Sequence, residues 1–168
     1  MNYVYQLLIG LVSGLFGAWI AMFFGLRRFY SEKWWEKRAA TFIELTDGIY
    51  QIKVLQEYYS ELNLYRYEGP EEYPDFVELN DEQLREMKLS AARAKSLIKK
   101  YSHVGQLLIT DSASELLRNY LDEEKRVDYD VHYRGWDTDD AEKHLLSMTN
   151  RLFENMLEIS RKELKAGK

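Results

Sequence analysis

The side chains with the richest chemistry lie between positions 128 and 144: Asp128, Asp130, His132, Asp137, Asp139, Asp140 and His144. Carboxylates and imidazoles are the donors that hold divalent metals. Their spacing matches neither an EF-hand loop nor the H-E-x-x-H helix of zinc enzymes. The segment therefore reads as a solvated polar loop, and no metal or cofactor is expected. His103 stands alone near a helix end. There is no G-x-S-x-G elbow, no phosphate-binding loop and no dinucleotide fingerprint. No Glu-x-x-His pair occurs, so the usual di-iron site of helical bundles has no ligands here. The chain has no cysteine, which removes thiolate chemistry and disulfides together. Basic residues do not gather beyond Lys99-Lys100, too little for a nucleic-acid footprint. The expectation is a protein that is not an enzyme and does not bind nucleic acid directly.

If no residue set performs catalysis, the elements themselves must carry the function. From Val4 to Leu26 the chain runs for 23 residues without a charged side chain, and Gln6 and Ser13 are its only strongly polar members. About 20 helical residues cross a bilayer core, so the run predicts one transmembrane helix over residues 1–28. A cleaved signal peptide would need a basic start and a shorter apolar stretch; the first basic residue here is Arg27. Arg27, Arg28, Lys33, Lys37 and Arg38 all follow the run. Positive charge stays inside, so the N-terminus is expected outside and residues 29–168 in the cytoplasm. Arg27, Arg28 and Trp34 are placed at the membrane interface, with Phe29, Tyr30 and Tyr3 or Tyr5 as aromatic belts. Trp35 shares that interface and is expected to begin the core of the bundle.

Within the run, Gly10, Gly14, Gly17, Ala21 and Gly25 are spaced by 4, 3, 4 and 4 residues and share one helical face. Small residues at this spacing let two helix backbones approach closely. The face predicts self-association or pairing with another membrane helix. No ionisable residue lies inside the run, so a transport or proton-relay role is not written there.

The remaining residues, with only Pro70 and Pro74 to interrupt them, read as helical. Apolar positions recur every three or four residues at Trp35, Ala39, Phe42, Leu45, Ile49, Ile52, Leu55, Tyr59 and Leu62. The membrane helix is therefore expected to continue to about Tyr67, where Glu68-Gly69-Pro70 stops it. A second helix starts at Asn80 or Asp81, with Leu84, Met87, Ala91, Ala94, Leu97, Ile98 and Tyr101 inward. His103 to Gly105 marks a bend or break in it, and residues 104–110, ambiguous between helix and strand, are read as helix for want of a partner strand. Ser112 to Glu115 has capping-box spacing before a short helix ending near Val127. Asp128 to Thr138 is expected as loop. The last helix starts at Asp137 or Thr138 and carries Leu145, Met148, Leu152, Met156 and Ile159. Leu146, Phe153, Leu157 and Leu164 widen its stripe, as for a helix with two neighbours. The expected fold is all-α: an antiparallel bundle of about four helices below one membrane helix.

Glu32-Lys-Trp-Trp-Glu-Lys-Arg-Ala-Ala-Thr-Phe42 directly after a membrane helix, and Gly105-Gln-Leu-Leu-Ile-Thr-Asp-Ser-Ala113 before a short helix, resemble segments of small bacterial membrane proteins with a helical cytosolic domain. Some of these are membrane effectors of anti-phage systems, retrons included. The resemblance implies an inner-membrane, single-pass protein. It would act with the lipid bilayer, a homo-oligomeric or other membrane helix, and a cytosolic protein that restrains it. It transfers no active site. A structural or regulatory subunit that docks a cytosolic complex at the membrane is the competing expectation.

Overall fold

Helix boundaries in this chain are set by a few residues that satisfy or release backbone groups. The computed structural model describes residues 2–166; the side chains at 2, 4, 6–9, 12, 106 and 166 lie outside the described residues. Four helices account for the fold: α1 (Asn2–Glu68), α2 (Asp81–Val104), α3 (Asp111–Arg134) and α4 (Thr138–Ala166). A single 3-10 turn, Gly105–Leu107, follows α2, and no strand occurs among the described residues. Short connections at 105–110 and 135–137 return each helix beside the last, as an antiparallel bundle requires.

The chain divides into two compact units, Met1–Arg38 and Ala39–Lys168. Among the described residues no helix is long and apolar enough to cross a membrane. Six positions of the apolar run, 4, 6–9 and 12, have side chains outside the described residues. Five of the six are Val, Leu or Ile, so the described part of the run is its less aliphatic part.

In the second unit the helical stripe is buried as the spacing requires. Phe42, Leu45, Ile49 and Ile52 of α1 meet Ala91, Ala94 and Ile98 of α2, Leu117 and Tyr120 of α3, and Met148, Leu152 and Met156 of α4 in one core. The buried stripe begins at Thr41 and Phe42, whereas Trp35 remains exposed. Trp35 is therefore not the first core residue.

Asn80 caps α2: its side chain accepts from the Gln83 amide (2.9 Å) while Gln83 accepts from the Asn80 amide (3.1 Å). This reciprocal box satisfies two orphan donors of the first turn. Asp137 caps α4, its Oδ1 accepting from the amides of Asp139 (2.9 Å) and Asp140 (3.2 Å). At α3 the cap is Thr110, which accepts from the Ala113 amide at 3.1 Å, and not Ser112. The Ser112 hydroxyl instead pairs with that of Thr110 at 3.1 Å.

Two expected boundaries are corrected. Residues 104–110 are not a helix but a 3-10 turn and an irregular step into the Thr110 cap. Gly105 packs closely there: a Cβ would lie 2.6 Å from Ser114 Oγ and 2.7 Å from Ile109 Cδ1, so a larger residue would force those side chains or the turn to shift. The other correction is at α3, which runs to Arg134 rather than ending near Val127. Asp130 pairs with Arg134 at 3.1 Å, and Tyr129 stacks on Tyr133 with centroids 4.8 Å apart, both at helical spacing. Gly135, in the left-handed conformation at φ 71°, then ends the helix, so the expected loop shrinks to residues 135–137.

The longest irregular segment, 69–80, is pinned to α1. Phe76 packs on Tyr58 (5.8 Å) and Tyr65 (5.0 Å). The Leu79 amide donates to the Tyr58 hydroxyl at 3.2 Å, and Arg66 pairs with Glu78 at 2.8 Å. This explains why Tyr58, and not the expected Tyr59, is the buried tyrosine.

Candidate interaction surfaces

The 128–144 residues are dispersed by the helical structure. His132 and Asp128 lie one turn apart on α3, with His132 Nδ1 2.8 Å from the Asp128 carbonyl oxygen. Asp130 faces Arg134, and Asp137 is used as a cap. His144 lies beside Trp136 (5.4 Å) and 3.8 Å from Glu123. Among the described residues no group of three or more metal-ligating side chains converges.

In the first unit every predicted packing position faces open space. A Cβ added at Gly10, Gly14, Gly17 or Gly25 would meet no other atom within 4 Å, and Ala21 is exposed. The opposite side carries an aromatic row. Phe16 stacks on Trp19 with centroids 6.3 Å apart, and Trp19 on Phe23 at 5.9 Å. Ser13 donates its hydroxyl to the Gly10 carbonyl at 3.1 Å. Its polar group is thus met within the helix. Beyond the run, Arg28 pairs with Glu32 at 2.8 Å, and Arg27, Trp34 and Trp35 are exposed.

The second unit holds a surface that the periodicity only half revealed. A groove of about 430 Å³ opens between α1 and α4. Phe42, Ile43, Thr46, Asp47 and Tyr50 form one wall; Phe153, Leu157, Ser160, Arg161 and Leu164 form the other. The Tyr50 and Phe153 rings close one end at 6.1 Å. Ile43 is 65% exposed and Tyr50 47% exposed. Phe153, Leu157 and Leu164 are only half-buried. The sequence signal was their widening of the α4 stripe, which implied a second neighbour. Within the chain that neighbour covers them incompletely.

One buried titratable group sits inside the bundle. Thr149 donates to the Leu145 carbonyl (3.0 Å), which leaves its oxygen to accept from the Tyr120 hydroxyl at 3.0 Å. Burial raises the Tyr120 pKa to about 12, with Glu124 adding to the rise and Thr149 and Gln56 opposing it.

The chain matches no family model, no curated protein and no solved structure.

Proposed function

We propose that this chain is a membrane-anchored, non-enzymatic effector. Its N-terminal helix spans the bacterial inner membrane once, with the C-terminal bundle in the cytoplasm. That helix self-associates through Gly10, Gly14, Gly17, Ala21 and Gly25. Release of the bundle from a cytosolic partner allows assembly that perturbs the membrane, in the manner of anti-phage effectors.

The observation that carries this reading is the contrast in the first unit. Its uncharged run presents Phe16, Trp19 and Phe23 on one side and open glycine positions on the other. Large apolar side chains left in water are unfavourable by about 1.5–3 kcal/mol each, so such a run needs an apolar surrounding. Close backbone approach is the favourable use of the glycine side in lipid. Arg27, Arg28, Trp34 and Trp35 are exposed where an interface would hold them.

The test is expression of the chain alone, with membrane potential and viability followed over time. Depolarisation that Gly14→Leu and Gly17→Leu both abolish is the expected result. Healthy, polarised cells would replace the effector with a subunit that docks a cytosolic complex at the membrane. Cytosolic fractionation of the chain would end both readings.

A further inference from the structure

We propose that the groove between α1 and α4 is closed by the same groove of a second copy of the chain. This rests on the self-association reading above and adds to it a second contact, outside the apolar run.

Charge is the first argument. Asp47 stands on the α1 wall and Arg161 on the α4 wall, and both are exposed. Neither takes part in an ion pair within 4 Å among the described residues. A twofold axis sets each patch against its own copy, so residue i of one protomer meets residue j of the other, and the reverse. Opposite charges on the two walls then meet twice, Asp47 to Arg161 and Arg161 to Asp47. A partner of single sign would satisfy one wall and repel the other.

Shape is the second argument. Ile43 and Tyr50 on the α1 wall are exposed, and Phe153, Leu157 and Leu164 on the α4 wall are half-buried. Both walls thus offer apolar side chains that the chain itself leaves partly uncovered, which a second copy of the same groove would cover. Asp47 lies between Ile43 and Tyr50 along α1, and Arg161 between Leu157 and Leu164 along α4, so each charge is set within an apolar row.

Size sets the condition for the contact. Ten residues line the groove, fewer than the roughly 20–30 a side of a stable interface. The groove alone is therefore a weak dimer contact. Tethering by an associated N-terminal helix raises the local concentration of the second groove and makes the contact populated.

The absence of native cysteine allows a direct test on the full-length chain in vesicles of bacterial lipids. Ile43→Cys is treated with a short bismaleimide, and Leu11→Cys, inside the apolar run where a thiolate is disfavoured, is oxidised with molecular iodine to a disulfide and so reports association of the N-terminal helix separately. Covalent dimer is expected at both positions. Asp47→Arg or Arg161→Asp added to Ile43→Cys should lower its dimer yield about tenfold, through like-charge contact across the twofold. The double exchange, Asp47→Arg with Arg161→Asp, should restore the yield to within about twofold, which a misfolded variant would not do. Dimer at Leu11→Cys without dimer at Ile43→Cys overturns the groove contact and leaves self-association standing. Dimer at neither position overturns both. Dimer at Ile43→Cys that ignores both charge changes overturns the proposed pairing.

Discussion

Phe16 and Phe42 are the same residue on the same helix, α1, with opposite fates. Phe42 is 0% exposed, enclosed by the core of the second unit, and Phe16 is 62% exposed. Both sit in the same regular helix, so secondary structure does not separate them. The difference comes from what the rest of the chain supplies. Residues 81–166 provide three further apolar stripes that enclose Phe42, Leu45, Ile49 and Ile52. Phe16, Trp19 and Phe23 stack mainly on one another. Apolar area is thus either matched inside the chain or left for something outside it.

The sharpest way to break this comparison is to remove the two rings. Phe42→Ala is expected to destabilise the second unit by about 3–5 kcal/mol, the cost of a cavity in a packed core. Phe16→Ala is expected to leave that stability within about 0.5 kcal/mol. Denaturant unfolding in detergent, followed by helical circular dichroism, measures both. Equal losses would mean that the first unit contributes to the core of the second.

A smaller effect probes the polar contact inside the bundle. Tyr120 keeps its proton in the folded state to about pH 12, while an unfolded tyrosine loses it near 10. The folded state therefore binds the proton more tightly. That stabilisation is complete below about pH 10 and is lost as pH rises toward 12; it amounts to about 2–3 kcal/mol. Unfolding of the parent and Tyr120→Phe should show stabilities that converge over this range. A constant difference from pH 9 to 12 would contradict the neutral, buried phenol.

The smallest expected change is at the turn between α2 and α3. Gly105→Ala places a methyl against Ser114 and Ile109, both buried, and should cost about 1–3 kcal/mol by overpacking. The melting temperature of the bundle checks it. An unchanged value would show that the turn can relax away from Ser114.

Much of the bundle was legible because its stripes follow the helical period. Phe42, Ile49, Leu62, Ala91, Ile98 and Met156 were all read as inward and are all buried. Boundaries were less legible where a single residue decides them. The break at His103–Gly105 was legible, but the tightness of the turn after it was not, because the crowding around Gly105 comes from Ile109 and from Ser114, nine residues on. The extent of α3 was underestimated because acidic and aromatic residues at 128–134 look like loop composition. Their spacing, Asp130 with Arg134 and Tyr129 with Tyr133, is helical. The groove was hidden for a related reason. Ile43 and Tyr50 lie off the main stripe, and periodicity does not say which of two apolar faces the chain itself will cover.

The clamp on Phe76 divides the 69–80 segment into halves with different tolerance to engineering. Pro70, Glu71 and Glu72 are exposed, ahead of the ring that docks between Tyr58 and Tyr65. An epitope or fluorescent tag inserted after Glu71 would extend an exposed bend and leave the helices on either side in register. The same tag placed between Phe76 and Asn80 would pull apart the ring contacts, the Leu79 hydrogen bond and the α2 cap together. An internal handle for following this protein in living cells is therefore available, within a window of about three residues at the start of the 69–80 linker.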